Sequence, residues 1–246
     1  VTFAQQRTRI AFGSCAHQDK PQRIWDAILA TAPDMFVFLG DNIYGDTDDM
    51  QVMAAKYAQL EAKPGFQQLR RTTEIHAIWD DHDFGRNDAG REYPMKAQSR
   101  QLMLDFWNEP AGSPRRTQAD GIYTSCMRGP AGRTVQLILP DLRWDRTALE
   151  LVDSDTYEAR DALNMGPYRI NTDPQARLMG EQQWAWLEQQ FTVQADVRII
   201  GSSIQCLPEF SGWETWANFP FERERLLALL ALHQDVPTLI LSGDVH

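Results

Sequence analysis

Short apolar runs alternate with longer amphipathic segments in the first part of the chain. Residues 9–13 (RIAFG) and 34–39 (DMFVFL) are apolar runs of strand length, and each run stops at a glycine. Between them, residues 22–31 place apolar side chains at helical spacing. A continuous apolar run is typical of a strand that is buried on both faces of a sheet. The pattern therefore predicts a β-α-β unit over residues 9–39.

The rest of the chain continues this alternation and adds one hairpin. The runs 121–127 and 134–139 flank the Gly- and Pro-rich residues 128–133, which is typical of an antiparallel pair. Residues 143–177 show no clear periodicity and are interpreted as a functional loop or a subdomain insertion. The other predicted strands cover 74–79, 197–200 and 238–241, and the other predicted helices cover 50–62, 94–107, 181–191 and 221–233. Strands alternating with helices predict a layered α/β fold with mixed sheet pairing.

The composition excludes several classes of protein. The 246 residues carry 24 Lys+Arg and 34 Asp+Glu, for a net charge of −10, and 43% of them are hydrophobic. These values are typical of a globular protein with a sizeable core. The net charge disfavours a stable complex with nucleic acid, and the most apolar stretch, 226–232, is too short to span a membrane. The three cysteines are too few and too widely spaced for a disulfide scaffold.

Candidate metal ligands follow four of the predicted strands. Cys15 follows the first strand and Asp41 the second, the cluster 81–83 (Asp-His-Asp) follows the third, and Asp244 with His246 follows the last. Loops at the carboxyl ends of strands converge on one crevice in an α/β sheet, so we expect these residues to meet. Clustered carboxylates repel one another unless cations neutralise them, and thiolate and imidazole are metal ligands too. The recurrence therefore predicts a metal site.

Taken singly, each of these residues also has a structural interpretation. Asp41 alone is equally well explained as a turn or helix-cap residue. Cys15 alone is more often a small buried apolar residue, and His82 alone fits a hydrogen-bonded core histidine. The acidic residues between positions 46 and 49 are interpreted as a solvated loop face. Only the recurrence at four strand ends favours a site.

Six blocks of sequence carry a resemblance to a known family. They are Phe12-Gly13-Ser14-Cys15, Gly40-Asp41-Asn42-Ile43-Tyr44, Trp79-Asp80-Asp81-His82-Asp83, Asp141-Leu142-Arg143, Trp213-Glu214-x-Trp216 followed by Glu222-Arg223, and Ser242-Gly243-Asp244-Val245-His246. In this order and spacing they resemble the alkaline phosphatase D (PhoD-like) family of calcineurin-like metallophosphoesterases. The resemblance implies one PhoD-like domain over residues 1–246, folded as an αββα sandwich with mixed sheets. We expect the C-terminal strands of the family's fold to be missing from this chain.

The same resemblance implies roles for individual residues. Asp41 matches a carboxylate that bridges two metals, and Cys15 matches a thiolate ligand to iron. His82 matches a histidine that protonates the leaving group or binds phosphate. By its residue type Arg143, with Arg146 as a further candidate, is a candidate contact to the substrate phosphate, and a surface ion pair to Asp141 is the alternative. The other implied metal ligands are Asp81, Asp244 and His246, with Tyr57 and Asn87 as looser matches.

Hydrolysis of phosphate esters is the activity that the resemblance implies, with a metal-bound hydroxide attacking phosphorus in line. Two metals about 3.5–4 Å apart would neutralise the phosphoryl oxygens and align the attacking oxygen. A thiolate suits iron or zinc and carboxylates suit calcium or magnesium; the resemblance selects iron and calcium, with other divalent metals possible. The expected substrate is a small phosphate mono- or diester. The resemblance further implies a monomer exported to the periplasm or beyond.

Two alternatives remain open from the sequence. A phospholipase-type diesterase would use the same site on a different ester. A secreted module that binds calcium structurally, without turnover and without need of Cys15, is the alternative outside the enzymes. Neither Cys126 nor Cys206 has an implied role. Metal content and turnover would distinguish these possibilities.

Overall fold

Residues 7–244 are described by the computed structural model, and their strands form two sheets. The first sheet contains β1 (Ile10–Gly13), β2 (Met35–Leu39) and β3 (Glu74–Ile78), in that order and all parallel. Helix α1 (Ile24–Ala30) connects β1 to β2. The β-α-β unit that the apolar pattern predicts is confirmed. Because these strands are parallel, their carboxyl ends lie at one edge of the sheet.

The second sheet is mixed. Its strands are β4 (Thr124–Arg128), β5 (Val135–Leu139), β6 (Val197–Ser202) and β7 (Thr238–Ser242), in that order. β4 pairs with β5 in the antiparallel sense, which confirms the predicted hairpin. β5, β6 and β7 run parallel to one another. The mixed pairing predicted for the fold therefore lies in this sheet, whereas the described strands of the first sheet are all parallel.

Seven further α-helices lie within residues 7–244. They are α2 (Met50–Glu61), α3 (Pro64–Thr72), α4 (Asp81–Phe84), α5 (Lys96–Phe106), α6 (Ser154–Asp161), α7 (Glu181–Phe191) and α8 (Pro220–Leu232). The sequence pattern missed α3, α4 and α6. α3 buries only Phe66 and Leu69, α4 is one turn of mostly polar residues, and α6 buries none of its residues. No helix in the described part of the chain is long and apolar enough to cross a membrane.

The two sheets pack face to face. A Cβ atom on Gly201 of β6 would lie 2.7 Å from Cδ2 of Leu39 in β2, so the sheets can approach this closely only at a glycine. The opposite face of β2 is covered by α1 and α3, where the Trp25 ring lies 6.1 Å from that of Phe38. α7 and α8 cover the second sheet through a separate apolar cluster around Trp184. These layers are the αββα sandwich that the sequence blocks implied.

Side chains of β3, an edge strand of the first sheet, contact side chains of β4, an edge strand of the second sheet. Arg128 Nε donates a hydrogen bond of 2.8 Å to Glu74 Oε2, and Glu74 Oε1 lies 2.6 Å from His76 Nε2. The Cys126 sulfur lies 3.6 Å from the same ring nitrogen. Burial lowers the pKa of His76 below its usual value of 6.5, although the carboxylate of Glu74 acts in the opposite direction. His76 therefore contributes to this contact as a neutral ring.

We expect this contact to weaken in acid. The lowered pKa means that the unfolded chain binds the His76 proton more readily than the folded chain, so stability falls as the pH drops below about 6.5. The His76→Gln variant should show a shallower fall in the free energy of unfolding between about pH 7.5 and pH 5 in urea titrations. An unchanged slope in His76→Gln would contradict this account.

Candidate metal centre

Three of the predicted ligands follow strands in a backbone conformation that is unusual for residues with side chains. The φ angle is 61° at Cys15 after β1, 52° at Asp41 after β2 and 73° at Asp244 after β7. This left-handed region is costly for residues other than glycine, and it persists where surrounding contacts impose it, often at functional sites. The amide of Ala16 donates to the carbonyl of Asp41 at 2.8 Å and ties the first two loops together. Backbone strain is therefore concentrated where the strand ends meet.

The thiol of Cys15 lies where these three loops come together. Its sulfur is 3.5 Å from Oδ2 of Asp41 and 3.2 Å from the backbone carbonyl oxygen of Asp244. A Cβ on Gly243 would lie 2.6 Å from the carbonyl oxygen of Leu39, so a glycine is needed for the loop after β7 to approach β2. The structure thus brings together side chains from both sheets that the strand-end pattern predicted to meet.

Within residues 7–244, three overlapping groups of side chains have the spacing of a metal site. In each group the candidate ligand atoms lie within 4.8 Å of one another. The groups are Asp41, Asp81 and His82; Asp41, Asp80 and Asp244; and Asp81, Asp88 and Glu214. Asp41 belongs to two groups, and Asp81 also belongs to two. A carboxylate shared in this way suits two cations bound side by side.

The oxygens of these groups fit metal ions. Asp41 Oδ1, Asp80 Oδ2 and Asp81 Oδ1 are buried and have no hydrogen-bond partner. Burial, followed by repulsion from Asp80, Asp81 and Asp83, raises the pKa of Asp41 to about 12. Burial and the charge of Glu214 likewise raise the pKa of Asp244 to about 7. A bound cation would satisfy the oxygens and relieve the repulsion, so the donor set is consistent with metal binding.

Arg143 is fully buried and pairs with carboxylates. Its Nε donates to Asp80 Oδ1 at 2.7 Å, and its other arm donates to Glu214 Oε2 at 2.7 Å. Asp141, the surface partner considered from the sequence, instead accepts a hydrogen bond of 2.9 Å from the backbone N–H of Arg143. That ion-pair alternative is therefore wrong, because the chain turns the guanidinium into the interior. There it partly compensates the negative charge of the acidic groups.

His82 lies at the rim of the site beside Asp46. The two are joined by a hydrogen bond of 2.8 Å between Nδ1 and Oδ1, and the ring of Tyr44 lies 4.3 Å from that of His82. Burial lowers the pKa of His82, but the hydrogen bond to Asp46 and the charge of Asp81 outweigh it, so the net shift is upward. Asp46 is exposed, as expected for the acidic loop, but it also orients this histidine. The positions of Asp46 and His82 in the sequence gave no indication of this hydrogen bond.

The structure places the two tyrosines of this region differently from the sequence interpretation. Tyr57, on α2, is buried against the ring of Phe106 at 4.6 Å, and its hydroxyl has no hydrogen-bond partner. Tyr44 lies beside the site, where its side chain hydrogen-bonds to Cys15. Burial and the charge of Asp41 raise the pKa of its hydroxyl. Tyr44 is therefore the better candidate for a tyrosine that acts at the site, through its hydrogen bond to Cys15. Tyr44 lies three residues after Asp41 in the second sequence block, and this position could have indicated its place at the site.

We expect Tyr44→Phe to weaken metal binding and Tyr57→Phe to leave it unchanged. Loss of a hydrogen-bond partner to a ligand costs about 10–100-fold in metal affinity. The Tyr57 hydroxyl makes no such contact, so its removal should also change the free energy of unfolding little. Calorimetric titration of chelator-treated protein with zinc measures both effects. Weaker binding in Tyr57→Phe alone would restore Tyr57 as the ligand.

Asn87 and His246 have less support as ligands. Asn87 is exposed, and its side-chain amide donates a hydrogen bond of 2.6 Å to Oδ2 of Asp88, which belongs to the third group. His246 lies outside the described residues, so its role stays a prediction. Asp80, Asp88 and Glu214 are the site residues that sequence reasoning missed. Asp80 and Glu214 do lie within the sequence blocks that carried the family resemblance.

Comparison with protein families agrees with this geometry. The model of the PhoD-like phosphatase family matches residues 10–246. The chain belongs to this family. Among solved structures, this PhoD-like chain is similar to a structure of PhoD, with a TM-score of 0.72 and 17% identity, covering 97% of this chain and 51% of that one. The chain thus spans about half the length of that PhoD structure.

A second solved structure has the same kind of fold. It is a dimetal phosphatase from Danio rerio, with a TM-score of 0.50 and 17% identity, covering 96% of this chain and 80% of that one. No curated protein sequence matches the PhoD-like chain. Both structural similarities support the two-sheet sandwich, and the family match covers all but the first residues of the sequence.

Proposed function

We propose that this PhoD-like domain hydrolyses phosphate esters with the help of bound metal ions. The observation that carries the proposal is the position of Asp41. Its carboxylate lies within 4.8 Å of a carboxylate oxygen of Asp81 in one group and of Asp80 and Asp244 in another. Two neighbouring cations would stabilise the attacking and leaving oxygens of a phosphoryl transfer and activate water as the nucleophile. Membership of the PhoD-like phosphatase family supports the same reaction class.

The side chains at the site would have different roles in metal binding and catalysis. Cys15, Asp41, Asp81 and Asp244 would hold the metals, and Tyr44 would orient Cys15. Asp88 and Glu214 would be further oxygen ligands beside Asp81. His82 would donate a proton to the leaving oxygen, because Asp46 holds its Nδ1 and keeps the pKa of the ring raised. We place Arg143 behind the ligands, where it holds Asp80 and Glu214, rather than on the substrate phosphate.

For the metals we propose iron at the thiolate end of the site and calcium at the carboxylate end. Cys15 supplies a soft sulfur ligand, which suits iron or zinc. The group of Asp81, Asp88 and Glu214 offers only oxygen, which suits calcium. Export of the protein and a monomeric state are proposed from the family resemblance alone.

Metal analysis combined with turnover tests this function. Protein purified without chelators should contain iron and calcium, and it should hydrolyse p-nitrophenyl phosphate or bis-p-nitrophenyl phosphate. Removal of the metals should abolish turnover, and their return should restore it. Calcium without turnover of either ester would favour the structural calcium-binding module instead. The ratio of the two rates would rank monoester against diester activity.

A further inference from the structure

A cavity of about 780 Å³ opens beside the candidate metal centre, between β1 and the start of α1. Cys15 and His17 line it on the side of the centre, and Trp25 and Ile28 of α1 line the opposite side. Cavities that bind small molecules commonly have volumes of about 300–1,000 Å³. The cavity is therefore large enough for a substantial organic group.

The wall of this cavity is apolar. Phe36 and Phe38 of β2 contribute to its floor together with Trp25. At the edge, Phe12 and Ile24 are 51% and 60% exposed, which is high for residues of this size and polarity. Apolar side chains left exposed around a concave surface mark a site for an apolar ligand. The chemistry of the wall thus favours a hydrocarbon or aromatic group.

The cavity is continuous with the site of the proposed reaction. Cys15 lines the cavity and also lies 3.5 Å from Asp41. The ring of His17 stacks on that of Tyr44 at 4.5 Å, and Tyr44 in turn lies 4.3 Å from the ring of His82. A row of three rings therefore leads from the cavity to the residue proposed to protonate the leaving oxygen. One molecule could occupy both places.

Positively charged side chains along the cavity favour the approach of an anionic molecule. Lys20 and Arg23 line it, in a chain whose net charge is −10. Two cations beside an apolar wall attract a molecule that is negatively charged at one end and apolar at the other. A phosphate ester of an apolar alcohol has this character.

We infer that the cavity binds the apolar alkyl or aryl group of the phosphate ester, and that it thereby selects esters of apolar alcohols. The inference rests on the proposed function, because the metal centre is what would place the phosphate next to Cys15. Contact with His17 and Ile24 would then distinguish a long organic group from a short one. Small polar esters would leave this apolar surface unused and would bind more weakly.

Binding of alkylphosphonates to the metal-loaded protein tests this inference separately from turnover. These compounds carry one organic group and are not hydrolysed. Calorimetry therefore measures one dissociation constant for the phosphonate group and the alkyl group together. Each buried methylene contributes up to about fourfold in affinity, so octylphosphonate should bind at least about 100-fold more tightly than methylphosphonate. A difference below about threefold would overturn the inference, whether or not the protein hydrolyses any ester.

A variant locates the effect. Ile24→Gln removes apolar surface at the cavity edge and should reduce the ratio of the two dissociation constants by about fivefold or more. Leu232→Gln, which changes a leucine that is 78% exposed on α8, should leave the ratio unchanged. Equal ratios in wild type and Ile24→Gln would show that the chain binds elsewhere and would overturn the inference. The inference would also be overturned if a second copy of the chain filled the cavity. Light scattering would then show a dimer in the wild type and a monomer in Ile24→Gln.

Turnover then separates the two proposals. Tight binding of octylphosphonate without metal-dependent hydrolysis of any ester would refute the proposed function while leaving the cavity an apolar anion site. Metal-dependent hydrolysis of p-nitrophenyl phosphate without any preference for the longer phosphonate would support the proposed function and overturn the inference about the cavity.

Discussion

Replacing Asp41 with asparagine should abolish phosphate-ester hydrolysis and yet stabilise the metal-free protein. Asp41 belongs to two groups of candidate ligands, so its loss weakens both metal positions at once. A metal site contributes several kcal/mol to transition-state stabilisation, and we therefore expect kcat/KM to fall by about a thousandfold or more. Asparagine is the suitable replacement because it tolerates the left-handed backbone at this position, where φ is 52°.

The gain in stability follows from the pKa of Asp41, which burial and its acidic neighbours raise to about 12. At neutral pH the folded, metal-free protein retains a proton that the unfolded chain releases. The free energy of unfolding therefore falls as the pH rises above the ordinary aspartate value. Asp41→Asn removes this penalty, and we expect a gain of roughly 1–3 kcal/mol in chelator at neutral pH, measured by urea unfolding.

The control for this experiment is Asp161→Asn, on the exposed end of α6. It makes the same change of charge away from the site, and both activity and stability should stay at the wild-type level. Full activity in Asp41→Asn would remove Asp41 from the metal centre. A loss of stability in the metal-free variant would show that the acidic groups do not repel one another as described.

Replacing Arg143 with methionine should destabilise the protein by about 3–5 kcal/mol, because it leaves buried carboxylates without their partner. The guanidinium is fully buried and hydrogen-bonds to both Asp80 and Glu214. Methionine is an unbranched residue of similar volume but carries no charge, so the loss reports mainly on the ion pairs. Urea unfolding of the chelator-treated protein gives the free energy directly.

Arg169→Met provides the matched control at the surface. Arg169 pairs with Glu150 at 2.6 Å, but both side chains are exposed, so the change should cost less than about 1 kcal/mol. If Arg143 contacted the substrate phosphate, as its residue type suggested, Arg143→Met would instead fold normally and raise KM. A stable variant with weak substrate binding would contradict the structural role.

The sequence was informative wherever local pattern determines structure. A continuous apolar run predicted β2, and Gly- and Pro-rich residues 128–133 predicted the hairpin of β4 and β5. The recurrence of ligand-type residues after strands located the candidate centre, because the carboxyl ends of parallel strands share one edge. α3, α4 and α6 were not predicted, because they are short and contribute few apolar side chains to the core or none.

The sequence by itself thus determined the two-sheet fold class and the family, and it located the loops that form the site. Only the tertiary structure decided which side chains meet there: Tyr44 rather than Tyr57 at Cys15, Asp46 at His82, and Glu214 with Asp80 at Arg143. The reason is physical. Periodicity reports which face of an element is buried, whereas an ion pair between residues 71 positions apart depends on how whole layers pack. The apolar cavity beside Cys15 likewise exists only once α1 lies against β1 and β2.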